Sequence, residues 1–174
     1  MLASPLIFLL LSASTWATPL QKRDAATVLI DLYGIKTDIA ALSTTLDGFD
    51  GTLDGAVDVE YAEIDLEDGL NQAINDVVAS STFATASSTR VTNSVTGLKP
   101  DILAILDKLV DNKPGFTSAG VVSVVKANLQ SLQNLTNVLS TGVQAKVTTA
   151  DKAAIASETV EVDAAYASAA AVFS

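Results

Sequence analysis

The 174-residue chain contains no cysteine and no histidine, and Arg23 and Arg90 are its only arginines. Without Cys or His there is no disulfide framework, no thiolate zinc site, no Ser/His/Asp triad and no imidazole base. No side chain with an ordinary pKa changes charge between about pH 5 and 8. The 20 acids outweigh the 10 bases, for a formal charge of -10. With so few clustered cations to meet phosphates, nucleic acid is excluded as a partner. Aromatic residues make up only 5% of the chain, so there is no sugar-stacking platform beside its paired acids, Glu60/Glu63 and Glu158/Glu161. A glycosidase reading of those pairs is therefore set aside, and no catalytic residue, metal site or cofactor is expected.

What is present is apolar: 49% of residues. The first such stretch, Leu6 to Leu11, lies in an uncharged segment ending at Thr15-Trp16-Ala17. It reads as a secretory signal peptide over 1–17, too short for a membrane span. Lys22-Arg23 is a dibasic pair just before the first periodic segment, so 18–23 reads as a propeptide. The remaining domain, 24–174, would carry all 20 acids and 8 of the bases.

Along that domain apolar residues recur in steps of four and three, the mark of amphipathic helices. The first stripe carries Val28, Leu32, Ile35, Ile39, Leu42, Leu46 and Phe49, with Asp24 as N-cap and a helix end near Asp47-Gly48. The second is read through Val57, Tyr61, Ile64, Leu70, Ile74 and Val77, with a solvated acidic face and a bend near Gly69. A third runs through Phe83, Val91, Val95, Leu98, Ile102, Ile105 and Leu109, and Pro100 either kinks it or starts a new helix. Asn112-Lys113-Pro114-Gly115 is read as a stop. The fourth helix is expected from Thr117 or Ser118, with Val122, Val125, Leu129, Leu132, Leu139 and Val143. The fifth follows Thr148 or Thr149, with Ile155, Val162, Tyr166 and Phe173. No segment alternates with a period of two, so the fold class is all-α: an antiparallel bundle of about five amphipathic helices.

Two local motifs have chemical readings. Asp50, Thr52, Asp54 and Gly55 fall at calcium-loop positions, but Tyr61 stands where a bidentate Glu is needed, so an acidic turn capping the next helix is preferred. Asn134-Leu135-Thr136 is the sole N-glycosylation sequon, on the helix face away from the seam.

The order of first helix, Gly/Asp-rich turn, Leu98-Lys99-Pro100-Asp101-Ile102-Leu103-Ala104-Ile105-Leu106-Asp107-Lys108-Leu109, Lys113-Pro114-Gly115-Phe116 and Val122 to Leu139 resembles the fungal hydrophobic surface-binding protein A and cell-wall galactomannoprotein family. The resemblance implies a secreted, non-enzymatic helical protein of the cell wall or medium. Such a protein binds fatty acids in an apolar tunnel, or hydrophobic surfaces where it helps recruit an extracellular hydrolase. Stripes alone make a closed core as readily as a tunnel, and a structural wall glycoprotein or antigen with a closed core is the alternative. If a tunnel exists, its expected lining is Leu32, Ile35, Ile39 and Leu42 from the first helix, and Val95, Ile102, Ile105 and Leu109 from the third. The fourth would add Val125, Leu129, Leu132 and Leu139, and the fifth Val162 and Tyr166. Thr136 and Tyr166 are the polar residues able to meet a ligand head group.

Overall fold

A computed structural model of the chain describes residues 24–174. The expected leader and propeptide lie outside the described residues. Among these residues the structure is helical throughout: α1 Ala25–Asp47, α2 Leu53–Ala79, α3 Thr85–Thr96, α4 Lys99–Asp111, α5 Lys113–Ala119, α6 Val122–Gln144 and α7 Thr149–Val172.

The helix boundaries follow from local chemistry. The Asp24 carboxylate accepts from the amides of Ala26 and Thr27 (2.9 and 3.2 Å) and so caps α1. Asp50 accepts from the Thr52 amide and hydroxyl (3.0 and 2.6 Å), and Thr52 accepts from the Gly55 amide. Those bonds, led by the Thr52 hydroxyl, hold the Asp50 carboxyl below the usual carboxylate range. The segment read against a calcium loop is thus an N-cap followed by helix from Leu53. Thr148 caps α7 by accepting from the Asp151 amide.

Both prolines at the expected breaks begin helices. Pro100 lies in the first turn of α4 and Pro114 in the first turn of α5, where a missing amide donor costs nothing. The expected stop at 112–115 is therefore a corner that starts a short helix. Gly120, at φ +76°, ends α5, and α6 starts at Val122, several residues later than expected.

Seven segments form five rods, because α3 and α4 follow each other as one broken rod and α5 is a short cap. In chain order the rods alternate in direction, as an antiparallel bundle should. In space they close a ring of α1, α2, α6, α7 and α3–α4, and not every neighbour is antiparallel. Glu60 meets Asn128 and Val77 meets Gly142, so α2 and α6 run parallel. Lys36 pairs with Asp101 and Lys108 with Ser43, so α1 and α4 do too. Ser88 donates to Asp151 while Lys99 reaches Glu158 and Glu161, which makes the α3–α4 rod and α7 parallel. Five is odd, so at least one neighbouring pair in a closed ring must be parallel; here there are three.

The interior holds the stripes of α1, α6 and α7 in the register read from sequence. On α2 that register holds for Leu70 and Val77 and fails before them. Its buried face is Ala56, Val59, Glu63, Leu66, Leu70, Ala73, Asp76 and Val77, while Val57, Tyr61 and Ile64 are exposed. Two alanines and two acids on the inner face, and large apolar residues on the outer one, shift the apparent stripe. Gly69 does not interrupt α2 and lies against the Asp38 side chain of α1.

One end of the ring is closed by aromatics. Phe116 of α5, essentially fully buried, stacks on Phe49 with centroids 4.6 Å apart and meets the edge of Phe173 at 6.2 Å. The α1–α2 turn reaches α5 through glycines: a Cβ on Gly115 would lie 2.8 Å from the Phe49 ring and 3.2 Å from the Gly51 Cα.

Candidate functional site

Five rods surround a wider axis than four, and two apolar cavities lie along it. The first, about 170 Å³, is bounded by α2 and α6 with Leu42, Leu109 and Phe116. The second, about 60 Å³, lies between α1, α2, α3–α4, α6 and α7. They sit end to end. Passing from first to second takes one turn on each of four rods: Leu42 to Ile39 on α1, Glu63 to Leu66 on α2, Leu109 to Ile105 on α4, and Leu132 to Thr136 on α6. From Val125 to Leu139 the path is about 21 Å at roughly 1.5 Å per helical residue. That is comparable to an extended sixteen-carbon chain. Neither cavity reaches the roughly 300 Å³ at the small end of ligand pockets, so a long chain requires the side chains between them to part.

The expected lining residues divide cleanly. Leu42, Leu109, Val125, Leu129 and Leu132 face the first cavity. Ile35, Ile39, Val95, Ile102, Ile105, Leu139, Val162 and Tyr166 face the second. Leu32 faces neither: it is buried in the core one turn before Ile35. Thr136 faces the second cavity beside Tyr166. Burial pushes the Tyr166 phenol up to about 12, against a smaller opposing effect of the Thr136 hydroxyl, so this tyrosine is a neutral donor at any ordinary pH. Asn134 stands exposed on the outer face of α6.

Sequence reasoning missed the α2 wall. The most consequential residue there is Glu63, only 6% exposed and facing the first cavity at its junction with the second. Its Oε1 is buried without a hydrogen-bond partner. Burial, then the nearby Glu67 charge and hydrogen bond, then Glu60, push the Glu63 carboxyl up to about 8, so it is a neutral acid at pH 7. The signal was available: Glu63 occupies an inward slot in the sequence Ala56, Val59, Glu63, Leu66.

Other polar groups at or near the cavities pair with one another. Glu60 accepts from Asn128 at 2.7 Å. Asp163 accepts from Gln133 and Asn137 at 3.0 and 2.7 Å, closing the α6–α7 seam. At the rim of the second cavity, Glu158 and then Glu161 hold the Lys99 ammonium above its ordinary range. The first cavity has no cation in its wall. No cluster of metal-ligating side chains occurs among the described residues.

The outer surface also carries large apolar side chains. Leu53, Val57, Tyr61 and Ile64 lie along α2, and Leu53 and Val57 with Val124 of α6 frame the first cavity. None of the described helices is long and apolar enough to cross a membrane.

Comparison with solved structures places the fold among lipid complexes. The crystal structure of AfMP4p in complex with palmitic acid is 47% identical, with a TM-score of 0.86 over 87% of this chain and 100% of that one. Ligand binding domain 1 of the Penicillium marneffei MP1 protein, complexed with arachidonic acids, is 17% identical with a TM-score of 0.80 over 86% and 99% of the two chains. Domain 2 of the same protein, complexed with multiple arachidonic acids, is also 17% identical at 0.80, over 88% and 98%. At that identity the two MP1 domains speak for the fold alone. No curated protein sequence matches the chain significantly. The model of hydrophobic surface binding protein A matches residues 25–145, and the chain belongs to that family.

Proposed function

We propose that this protein is a secreted, non-enzymatic carrier that holds a fatty-acid-like ligand along the axis of its five-rod ring. The observation that carries the reading is the pair of aligned apolar cavities, whose walls come from all five rods. The AfMP4p complex with palmitic acid, at 47% identity, supports the same ligand class. Burying a sixteen-carbon chain at about 0.8 kcal/mol per methylene supplies on the order of 12 kcal/mol, enough to leave useful affinity after ordering costs. The expected head-group partners are Thr136 and Tyr166, with the lining residues assigned above. Native mass spectrometry of protein purified from its source should reveal a co-purifying lipid. A homogeneous apo mass, with no thermal shift on adding palmitic acid, would leave a closed structural wall glycoprotein as the reading instead.

Adsorption to hydrophobic surfaces is a second reading, favoured by the exposed Leu53 and Tyr61, 59% and 64% accessible, on one stretch of α2. Depletion of the protein by polyester particles tests it, and an added extracellular hydrolase tests recruitment. Processing of 1–17 and 18–23, wall association and a glycan on Asn134 complete the proposal. Intact-mass analysis of the native protein reads the processing and the glycan directly.

A further inference from the structure

We propose that Glu63 determines which lipids the tunnel takes: its buried Oε1 accepts a hydrogen bond from a hydroxyl carried by the ligand. An alkyl chain ending in an O–H donor is thereby favoured over an ester or ether of equal length. This rests on the tunnel reading and names the ligand chemistry within it.

Three observations meet at this residue. Glu63 faces the first cavity at the turn where the second begins, so a chain lying in the first cavity with its head group at that junction brings the group to it. Its Oε1 has no partner in the protein, and leaving a buried acceptor unsatisfied is unfavourable by more than a typical hydrogen bond gains. The same wall offers no cation, and the ionisable groups bearing on Glu63 are Glu60 and Glu67 on α2 and the Tyr166 phenol on α7. α1 and α6 contribute leucines to this part of the wall, and the half-buried Asn128 is engaged by Glu60. In the first cavity an ionised head group would meet the like charge of Glu60 and Glu67 and no counter-ion, so the end that fits beside Glu63 is neutral, a protonated fatty acid included. A donor fits best, because Glu63 gives its own proton to Glu67 and leaves Oε1 as an acceptor. The burial and neighbouring acids that keep its own carboxyl protonated also keep a second negative charge out of the cavity.

The test uses the delipidated full chain, a fluorescent fatty-acid probe, and displacement by 1-dodecanol or dodecyl methyl ether. These differ by the donor and carry no charge. The ratio of their dissociation constants is compared among the wild type, Glu63→Gln, Glu63→Leu and Glu63→Met. The alcohol preference is expected to fall about tenfold in the Leu and Met variants. It should persist in Glu63→Gln, whose amide oxygen still accepts. Two apolar variants guard against one that fails to fold. An unchanged ratio in the folded apolar variant, or a Gln variant that behaves like Leu, overturns the proposal while leaving the tunnel reading intact. If the wild type binds neither the probe nor the alcohol, the tunnel reading falls and takes this inference with it.

Discussion

Replacing Glu63 with Gln should make the protein more stable, by an amount that grows with pH. The Glu63 carboxyl titrates near 8 in the folded chain against 4.5 when free. Below pH 4.5 both states hold the proton and the residue adds no pH dependence. As pH rises from there to about 8, the unfolded chain releases its proton and the folded chain does not, so wild-type stability falls by about 1.4 kcal/mol per pH unit. Above 8 the loss is complete, on the order of 4–5 kcal/mol, a large share of the roughly 5–15 kcal/mol that holds a domain together. Gln has the same shape and no proton to lose. Its advantage over wild type should therefore be small at pH 5 and largest near pH 8. Glu60, Glu67 and Tyr166, the ionisable groups bearing on this site, are present in both proteins, so the difference reports the Glu63 proton together with its interactions with those groups. Urea unfolding followed by circular dichroism suits the measurement, since residues 24–174 contain no Trp. A variant-minus-wild-type difference that stays flat from pH 5 to 8 would refute the reasoning.

Three further outcomes follow from the packing. Leu132→Trp, at the junction of the cavities, should lower fatty-acid affinity tenfold or more in probe titrations at a stability cost of about 1–3 kcal/mol; unaltered affinity would mean that the ligand sits elsewhere. Phe116→Ala removes the ring held between Phe49 and Phe173 and should cost about 3–5 kcal/mol in chemical unfolding, so a loss below 1 kcal/mol would contradict its role in closing that end. Gly51, at φ +79°, packs on Gly115, and Gly51→Ala should destabilise by about 1–2 kcal/mol, a change that a melt unaffected by the substitution would exclude.

Much of the fold was legible because α1, α6 and α7 bury large apolar residues at regular spacing, although Ile30, Tyr33 and Val160 stand exposed on their outer faces. Val28 through Leu46 lie on the inner face, and 13 of the 14 expected lining residues border a cavity. Leu32 does not, since a stripe gives the face and not the depth at which the axis opens. α2 was misread because its inner face carries Ala56, Ala73 and Glu63, while Val57, Tyr61 and Ile64 point outward. A periodicity argument weights size and polarity, and both mislead there. The prolines were legible as breaks, but the backbone beyond them was not: whether a first-turn proline ends one helix or begins the next depends on what the new segment packs against. Phe116 supplies that contact for α5.

The ring's mixed directions bear on how the molecule assembles. Antiparallel neighbours α1 and α2, or α6 and α7, are joined by short turns and meet early at little entropic cost. The parallel seams must wait for distant chain: Lys99 and Glu161 are 62 positions apart, and Lys108 and Ser43 are 65. Contacts of such separation slow folding. The α2–α6 seam, whose Glu60 and Asn128 are 68 positions apart, borders the first cavity and the α4 seams with α1 and α7 border the second, so the seams of widest separation are ones that would have to part for an acyl chain. A lipid present when those seams form would be enclosed as the barrel shuts, and loading could then accompany biosynthesis rather than follow it.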